Sequence, residues 1–177
     1  MTNPNDGELT GTIFSDSAYA SEESARAVVE SARWPHGVYC PKCGSLEKCW
    51  PIRPRSAESG RGARPGLWRC SLCRRQFTVT VGTALEDSKL PLRSVLRGLA
   101  HLCNHPRESG VHALREAMGT SHRTALAFET RVRGIWEESA TDGAGARESL
   151  SRARRRRSAF KWPLSPVSLL RVLLHTA

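Results

Sequence analysis

Two cysteine pairs, Cys40-Pro-Lys-Cys43-Gly44 and Cys70-Ser-Leu-Cys73, decide how this chain of 177 residues folds. A CxxC pair bends the backbone so that both of its sulfur atoms point toward one centre. Two pairs supply four thiolates, the number of ligands that a tetrahedral structural Zn²⁺ requires. The sequence therefore predicts one zinc ion per chain, bound by Cys40, Cys43, Cys70 and Cys73.

The stretch between the two pairs is 26 residues long, which is longer than usual for such a site. Its middle part, residues 53–66, is rich in Pro, Gly, Ser and Arg and is typical of a loop at the tip of a hairpin. Two other uses of the cysteines are less favoured. A redox pair would lie between a strand and a helix, and disulfides belong to exported proteins, of which the sequence gives no sign.

Other groups of metal-binding residue types are incomplete. His36 precedes Cys40 by four residues, but two full CxxC pairs make it unnecessary as a ligand. His101 and His105 are spaced i, i+4, but the sequence offers no further ligands beside them, so packing at the end of a helix explains them better. Cys49 and Cys103 are expected to be a strand residue and a buried helix residue.

Charge is distributed unevenly along the chain. The net charge is +10, but residues 1–32 sum to −5, so the remainder carries +15. A basic body of this kind attracts polyanions, and double-stranded DNA is the expected partner. A basic surface that is merely solvated is the alternative. Because the sequence shows no signal peptide and no apolar run long enough to span a membrane, we expect a cytoplasmic, nucleoid-associated protein without a membrane partner.

Helical patterns dominate the chain after the second cysteine pair. Apolar residues recur at helical spacing over 90–103, 110–117 and 122–138. Between the last two helices, Gly119 suits a tight turn and Ser121 suits an N-cap. This arrangement predicts a helix-turn-helix, although an αα-hairpin within any helical core has the same pattern.

The outer face of the last of these helices is the predicted DNA-reading surface. It lies opposite the inner stripe that contains Ala125, Phe128 and Val132, and Arg123 is the best candidate for a guanine contact. Two arginines beside the second cysteine pair are candidates for phosphate contacts. The full predicted set is His122, Arg123, Thr124, Ala127, Thr130, Arg131, Arg74 and Arg75.

The order of these motifs resembles the zinc-ribbon N-terminal region of bacterial insertion-sequence transposases, and the last of them resembles that family's helix-turn-helix. Met118 and Thr120 replace the leucine and valine usual in the family's turn. The segments that carry the resemblance are Arg33-Trp-Pro-His-Gly37, Cys40-Pro-Lys-Cys-Gly-Ser45, Trp68-Arg-Cys-Ser-Leu-Cys-Arg-Arg-Gln-Phe77, Thr80-Val-Gly-Thr83, Ser88-Lys-Leu-Pro-Leu92 and Ala117-Met-Gly-Thr-Ser-His-Arg-Thr-Ala125.

The resemblance implies DNA binding but not catalysis. In the family, a catalytic domain with acidic residues that hold two metal ions follows the helix-turn-helix. Here only four carboxylates follow Trp136, so we expect no catalytic residue and no enzyme activity. Those carboxylates are Glu137, Glu138, Asp142 and Glu148.

Together these features predict an α+β chain. The expected parts are a disordered N-terminus (1–20), an N-terminal helix (21–37), a zinc ribbon (38–86), a three-helix helix-turn-helix unit (87–138) and a disordered linker and basic tail (139–177). The predicted function is zinc-dependent DNA binding by a transposase-like protein. The alternatives are a fragment of an active transposase, and a protein-interaction module that acts on a polymerase or an intact transposase. An intact transposase or a second copy of the chain is a further candidate partner.

Overall fold

The computed structural model describes residues 15–46, 48–52, 64–105, 110–140 and 166–175. It has the predicted α+β composition, with one antiparallel sheet of strand order β1-β2-β3. The elements in chain order are α1 (Asp16–Ala20), α2 (Glu22–Arg33), β1 (Cys49–Pro51), β2 (Trp68–Cys70), β3 (Gln76–Phe77), α3 (Leu92–Asn104), α4 (Val111–Met118), α5 (His122–Ala140) and α6 (Pro166–His175).

The N-terminal region is more ordered than predicted. Residues 1–14 lie outside the described residues, but α1 occupies 16–20, where disorder was expected. Ala18 is buried, and the Arg97 guanidinium of α3 lies 5.8 Å from the Tyr19 ring, so tertiary contacts hold this short helix. Helix α2 begins as predicted, because the Ser21 hydroxyl accepts a hydrogen bond from the Ser24 N–H at 3.0 Å.

The ribbon, residues 38–81, packs on the C-terminal end of α2 through a group of aromatic rings. The Trp34 ring makes edge-to-face contacts with Tyr39, Trp68 and Phe77 at centroid distances of 5.7–6.4 Å. Strand β3 covers only Gln76–Phe77, although the alternating, β-branched residues 76–81 are typical of a longer strand. After Phe77 the chain turns, and the Val79 carbonyl accepts a hydrogen bond from the buried Arg33 guanidinium instead of a neighbouring strand.

Helices α3, α4, α5 and α6 form a second unit, which we call the helical body. Its core is rich in leucine, including Leu96, Leu99, Leu102 and Leu114. Gly98 permits the close approach of α3 to the other helices: a Cβ atom there would lie 2.7 Å from the Phe128 ring. Helices α3, α4 and α5 lie where the apolar periodicity places them, within two residues at each end.

The prediction of a disordered tail over 139–177 was wrong for its last part. Helix α6 buries four leucines (Leu169, Leu170, Leu173 and Leu174) against α2, α3 and α5. The Ala84 N–H also donates to the Leu173 carbonyl at 3.0 Å, which ties α6 to the segment that follows the ribbon. The leucines share one helical face, so burial stabilises a helix here. The linker and the arginine cluster Arg154–Arg157 lie outside the described residues.

Candidate metal centre and nucleic-acid surface

The two cysteine pairs form two turns of the same backbone geometry. In the first, the Cys40 N–H donates to the Ser45 carbonyl at 3.0 Å, and in the second the Cys70 N–H donates to the Arg75 carbonyl at 3.0 Å. The fifth residue of each turn is left-handed: Gly44 has φ +70° and Arg74 has φ +60°. The equivalence of these turns explains why both CxxC pairs direct their sulfur atoms toward one point.

The four predicted ligands meet in space. The Sγ atoms of Cys40, Cys43, Cys70 and Cys73 all lie within 4.8 Å of one another. The Sγ–Sγ distance is 3.6 Å between Cys40 and Cys73 and again between Cys43 and Cys70. A tetrahedron with metal–sulfur bonds of about 2.3 Å has edges of about 3.8 Å, so this donor set fits a tetrahedral metal ion.

Residues 20–76 match the family of transposase zinc-ribbon domains. The match begins just before α2 and includes both cysteine pairs, so it confirms the resemblance for this part of the chain. No curated protein and no solved structure matches the chain. Helices α3 to α6 lie outside the matched residues, and their function rests on their own geometry.

The four thiols of the ribbon differ in acidity. The Ser45 hydroxyl lies 3.3 Å from the sulfur atoms of both Cys43 and Cys70. Its hydrogen bond lowers the pKa of Cys43 and lowers that of Cys70 to about 6. The Arg75 N–H would lower the pKa of Cys73, but burial and the neighbouring thiols raise it to about 11. Ser45 thus stabilises two ligands in the thiolate form that binds metal.

Among the described residues, neither the remaining cysteines nor the histidines join the group of four converging sulfur atoms. Cys49 lies opposite Cys70 in the β1–β2 register, and burial raises the pKa of its thiol to about 11. Burial likewise raises the pKa of Cys103 to about 12. The ring centroids of His101 and His105 lie 4.9 Å apart, with the ring planes tilted by 38°. Among the described residues, the four ribbon cysteines are the only group of three or more metal-binding side chains that converge.

The segment from α4 to α5 has the local features of a helix-turn-helix. Three residues separate the helices, and Gly119 adopts φ +64° in the left-handed region. The Ser121 hydroxyl accepts from the Thr124 N–H at 3.2 Å and so caps α5. The predicted inner stripe, Ala125, Phe128 and Val132, is buried.

The candidate DNA residues of α5 lie on its outer face. His122, Arg123, Ala127, Thr130 and Arg131 are exposed, and Thr124 is half-buried. Arg123, Thr124, Ala127 and Arg131 line one wall of a groove of about 320 Å³, whose other wall is the segment from Ala84 to Leu90. Arg133, two residues after Arg131, differs from these residues: it is buried and forms a 2.7 Å ion pair with Glu129 one turn earlier.

The two remaining candidates lie on a different surface. Arg74 and Arg75 are exposed in the second cysteine turn, and Arg74 lines a groove on the ribbon with Trp50 and Arg69. Sequence reasoning missed Trp50 and Arg69. No local signal could have found them, because only the β1–β2 register places Trp50 beside Arg69 on one face of the sheet.

Among the described residues, no helix is both long enough and apolar enough to cross a membrane.

Proposed function

We propose that this chain is a zinc-dependent, transposase-like DNA-binding protein that holds double-stranded DNA without cutting it. Zinc would occupy the four-thiolate centre, and the outer face of α5 would contact the duplex. The observation that carries the proposal is the capped helix α5, which follows a three-residue turn and presents Arg123 and Arg131 on its exposed side.

Zinc is the metal that the donor set favours. Four soft sulfur ligands in a tetrahedron select zinc or iron, and the match to a zinc-ribbon family favours zinc. Four protein ligands leave no coordination position for water or substrate, so zinc at this centre would be structural. When bound, it would supply folding stability to the ribbon. In the folded ribbon, Ser45 and the two cysteine turns direct the four sulfur atoms toward the metal position.

Duplex binding by α5 would follow the usual docking of a recognition helix. Residues near the N-terminus of that helix meet base edges in the major groove. Arg123 suits the O6 and N7 atoms of guanine, and Arg131, two turns later, suits a phosphate. The charge of +15 beyond residue 32 would add attraction that does not depend on sequence.

We also propose that these 177 residues neither nick nor join DNA. Strand transfer with two metal ions requires carboxylates clustered in space. Glu137 and Glu138 are adjacent on one helix, and Asp142 and Glu148 lie outside the described residues. Incubation with supercoiled plasmid and Mg²⁺ or Mn²⁺ tests this. Nicking that copurifies with the chain and is lost on mutating these four residues would contradict it.

Selection from random DNA duplexes with zinc-loaded protein tests the DNA-binding proposal. Arg123→Ala should flatten the preference at one base, which costs about 1–3 kcal/mol on the preferred site. Arg131→Ala should weaken all duplexes alike and make the slope of log K against log salt shallower by about one. Arg93→Ala, on the exposed side of α3, is the matched loss of charge. If Arg123→Ala behaved like Arg93→Ala, α5 would not be the reading helix.

The arginine cluster Arg154–Arg157 requires substitution rather than truncation. Deleting the tail would also remove the buried leucines of α6, so any loss of binding would report unfolding. Changing the four arginines to glutamine should lower the affinity for every duplex and leave the sequence preference intact. If the preference vanished instead, the tail would be the part that reads DNA.

A further inference from the structure

The ribbon sheet has two different faces. One face carries Trp68 and Phe77, which pack against the Trp34 ring. The register places Trp50 beside Arg69 and Arg69 beside Gln76, so these three side chains form a row across the opposite face. All three are exposed. The second face is therefore an open surface of one aromatic ring, one cation and one amide.

Trp50 is the dominant feature of this outer face. Its side chain is 64% exposed, although an indole of this size is normally buried in a core or an interface. The ring borders an open groove of about 330 Å³ that is also lined by Ile52, Arg69, Ser71 and Arg74. Folding gains little from Trp50 here, so its position is better explained by a ligand.

The groove is surrounded by positive charge. The described residues of the ribbon include six lysines and arginines and no aspartate or glutamate: the cations are Lys42, Lys48, Arg64, Arg69, Arg74 and Arg75. Over the whole ribbon sequence, nine cations stand against Glu47 and Glu58. Within the described part of the chain, neither Arg69 nor Arg74 takes part in an ion pair. An aromatic ring that shares a groove with two guanidinium groups suits a ligand that is both planar and anionic.

The backbone of Arg74 is strained, and the first cysteine turn shows what relieves the strain. At the equivalent position the first turn has Gly44, for which a positive φ carries no penalty. An arginine in the left-handed region costs about 1 kcal/mol or more. Glycine at position 74 would avoid this cost. The arginine found there lines the same groove as Trp50.

We propose that this outer face binds single-stranded nucleic acid, with an unpaired base stacked on Trp50 and the flanking phosphates held by Arg69 and Arg74. An unpaired base offers a free π-face to an exposed indole, whereas a base within a duplex is already covered by its neighbours. The site differs from the α5 surface in element, residues and ligand. A protein partner fits less well, because the surface offers a single aromatic ring among cations rather than a contiguous apolar patch.

A pair of oligonucleotide probes separates stacking from charge. One is a labelled 15-nucleotide thymidine strand, and the other is an abasic strand of the same length and phosphate number. On the thymidine strand, Trp50→Ala should weaken binding by about 5- to 150-fold, the usual contribution of one stacked base. Trp50→Phe should retain most of the affinity. On the abasic strand, Trp50→Ala should bind like the unmodified chain, because no base is present to stack.

Leu72→Ala is the matched control for Trp50→Ala, because Leu72 is equally exposed, at 64%, on the same ribbon but does not line the groove. It should leave both probes unaffected. Equal binding of the thymidine strand by Trp50→Ala and the unmodified chain would overturn the proposal. So would an equal loss on both strands, or a loss on duplex DNA alone, which would make the outer face a duplex contact.

Arg74→Gly tests the phosphate contact without damaging the fold. The substitution installs the residue that the first turn already uses, so metal content should stay at one ion and thermal stability should hold or rise. For a single strand, the slope of log K against log salt should become shallower by about 0.7. An unchanged slope, with metal content preserved, would remove Arg74 from the site. Arg123→Ala should not alter either single-stranded probe, which keeps this test independent of the α5 proposal.

Discussion

The ribbon and the helical body solve the problem of stability in opposite ways. The ribbon has strands of three, three and two residues, and it places two tryptophans and three leucines at least partly in solvent. The helical body buries apolar side chains from all four of its helices in one continuous core, which Phe77 and Val79 of the ribbon join at one edge. The ribbon therefore depends on a metal ion for its conformation, whereas the helical body is stabilised by apolar burial without a metal.

Helix α2 is the element that the two regions share. Its apolar stripe of Ala25, Val28, Val29 and Ala32 is buried toward the helices. Its C-terminal end serves the ribbon: Glu30 accepts a 3.4 Å hydrogen bond from the Trp68 indole, and Trp34 carries the aromatic group. If this division is correct, the ribbon can unfold while α2 stays in place on the body.

Removing a metal ligand should affect the ribbon far more than the helical body. Cys70→Ser leaves three thiolates, and the apparent binding free energy of a structural zinc site, about 10–16 kcal/mol, is largely lost. We expect metal content to fall from one ion to near zero and the ribbon to unfold. Helical circular dichroism should persist, because the helical body does not need the metal. Complete loss of helix would contradict the division into two regions.

Cys49→Ser is the matched control, because Cys49 lies opposite Cys70 in the sheet but outside the ligand set. It should leave metal content unchanged. Thiol labelling after chelation shows which region unfolds when the metal is removed. The five ribbon cysteines should become reactive, while Cys103 should remain protected, because it is buried in α3 and burial raises the pKa of its thiol to about 12. Rapid labelling of all six cysteines would show that the body had opened too.

The next largest effect is expected in the helical body. Leu170 is fully buried on α6, so Leu170→Ala should lower the free energy of unfolding of the body by about 2–5 kcal/mol. Metal content should stay at one ion, because α6 contributes no ligand. Chemical denaturation followed by helical circular dichroism, together with metal analysis, gives both quantities. A change of less than about 0.5 kcal/mol would mean that α6 is not part of the core in solution.

Local signals made the metal centre and most helix ends predictable. The CxxC spacing determines the local turn of each cysteine pair. Ser21, Ser121 and Gly119 form hydrogen bonds with backbone groups nearby in the sequence, so a short stretch of sequence is enough to predict these helix ends. The family resemblance added the order of the ribbon and the helices. The alternation over 76–81 overstates the length of β3. It cannot show that the Val79 carbonyl accepts a hydrogen bond from Arg33, 46 residues earlier in the chain, and not from a neighbouring strand.

Long-range packing accounts for the larger errors. The four leucines of α6 follow a proline-rich and arginine-rich stretch, and only the open groove between α2, α3 and α5 explains why they are helical and buried. Arg131 and Arg133 carry the same charge, so composition cannot show which of them is exposed. Arg133 is buried because it lies on the core-facing side of α5, where it pairs with Glu129. Trp50 had the same origin, since only the sheet register reveals that it faces outward.

A smaller effect tests how tightly the helices of the body pack. A Cβ at position 98 would lie 2.7 Å from the Phe128 ring and 3.0 Å from the Met118 sulfur. Gly98→Ala should therefore destabilise the body by about 1–3 kcal/mol through overpacking, partly offset by the better helix propensity of alanine. Denaturation monitored by circular dichroism measures it. A net gain in stability would show that α3 and α5 separate easily.

The smallest expected effect lies at the N-terminal end of α2, the end that serves the helical body. The Glu22 carboxylate accepts hydrogen bonds from the N–H groups of Leu92 at 2.6 Å and Arg93 at 3.3 Å. It thereby caps α3, whose own N-cap residue, Pro91, provides no side-chain hydrogen bond. Because the site is exposed, Glu22→Gln should cost only about 0.3–1 kcal/mol of body stability, from the loss of negative charge at the N-terminus of α3. The cost should shrink in high salt, since the charge is screened. Metal affinity, measured by competition with a chelator, should not change. Glu22 is at the N-terminal end of α2, whereas the ribbon packs on the C-terminal end of that helix. A weaker metal site in Glu22→Gln would mean that the two regions are coupled through α2, and that the ribbon's stability does not rest on its metal alone.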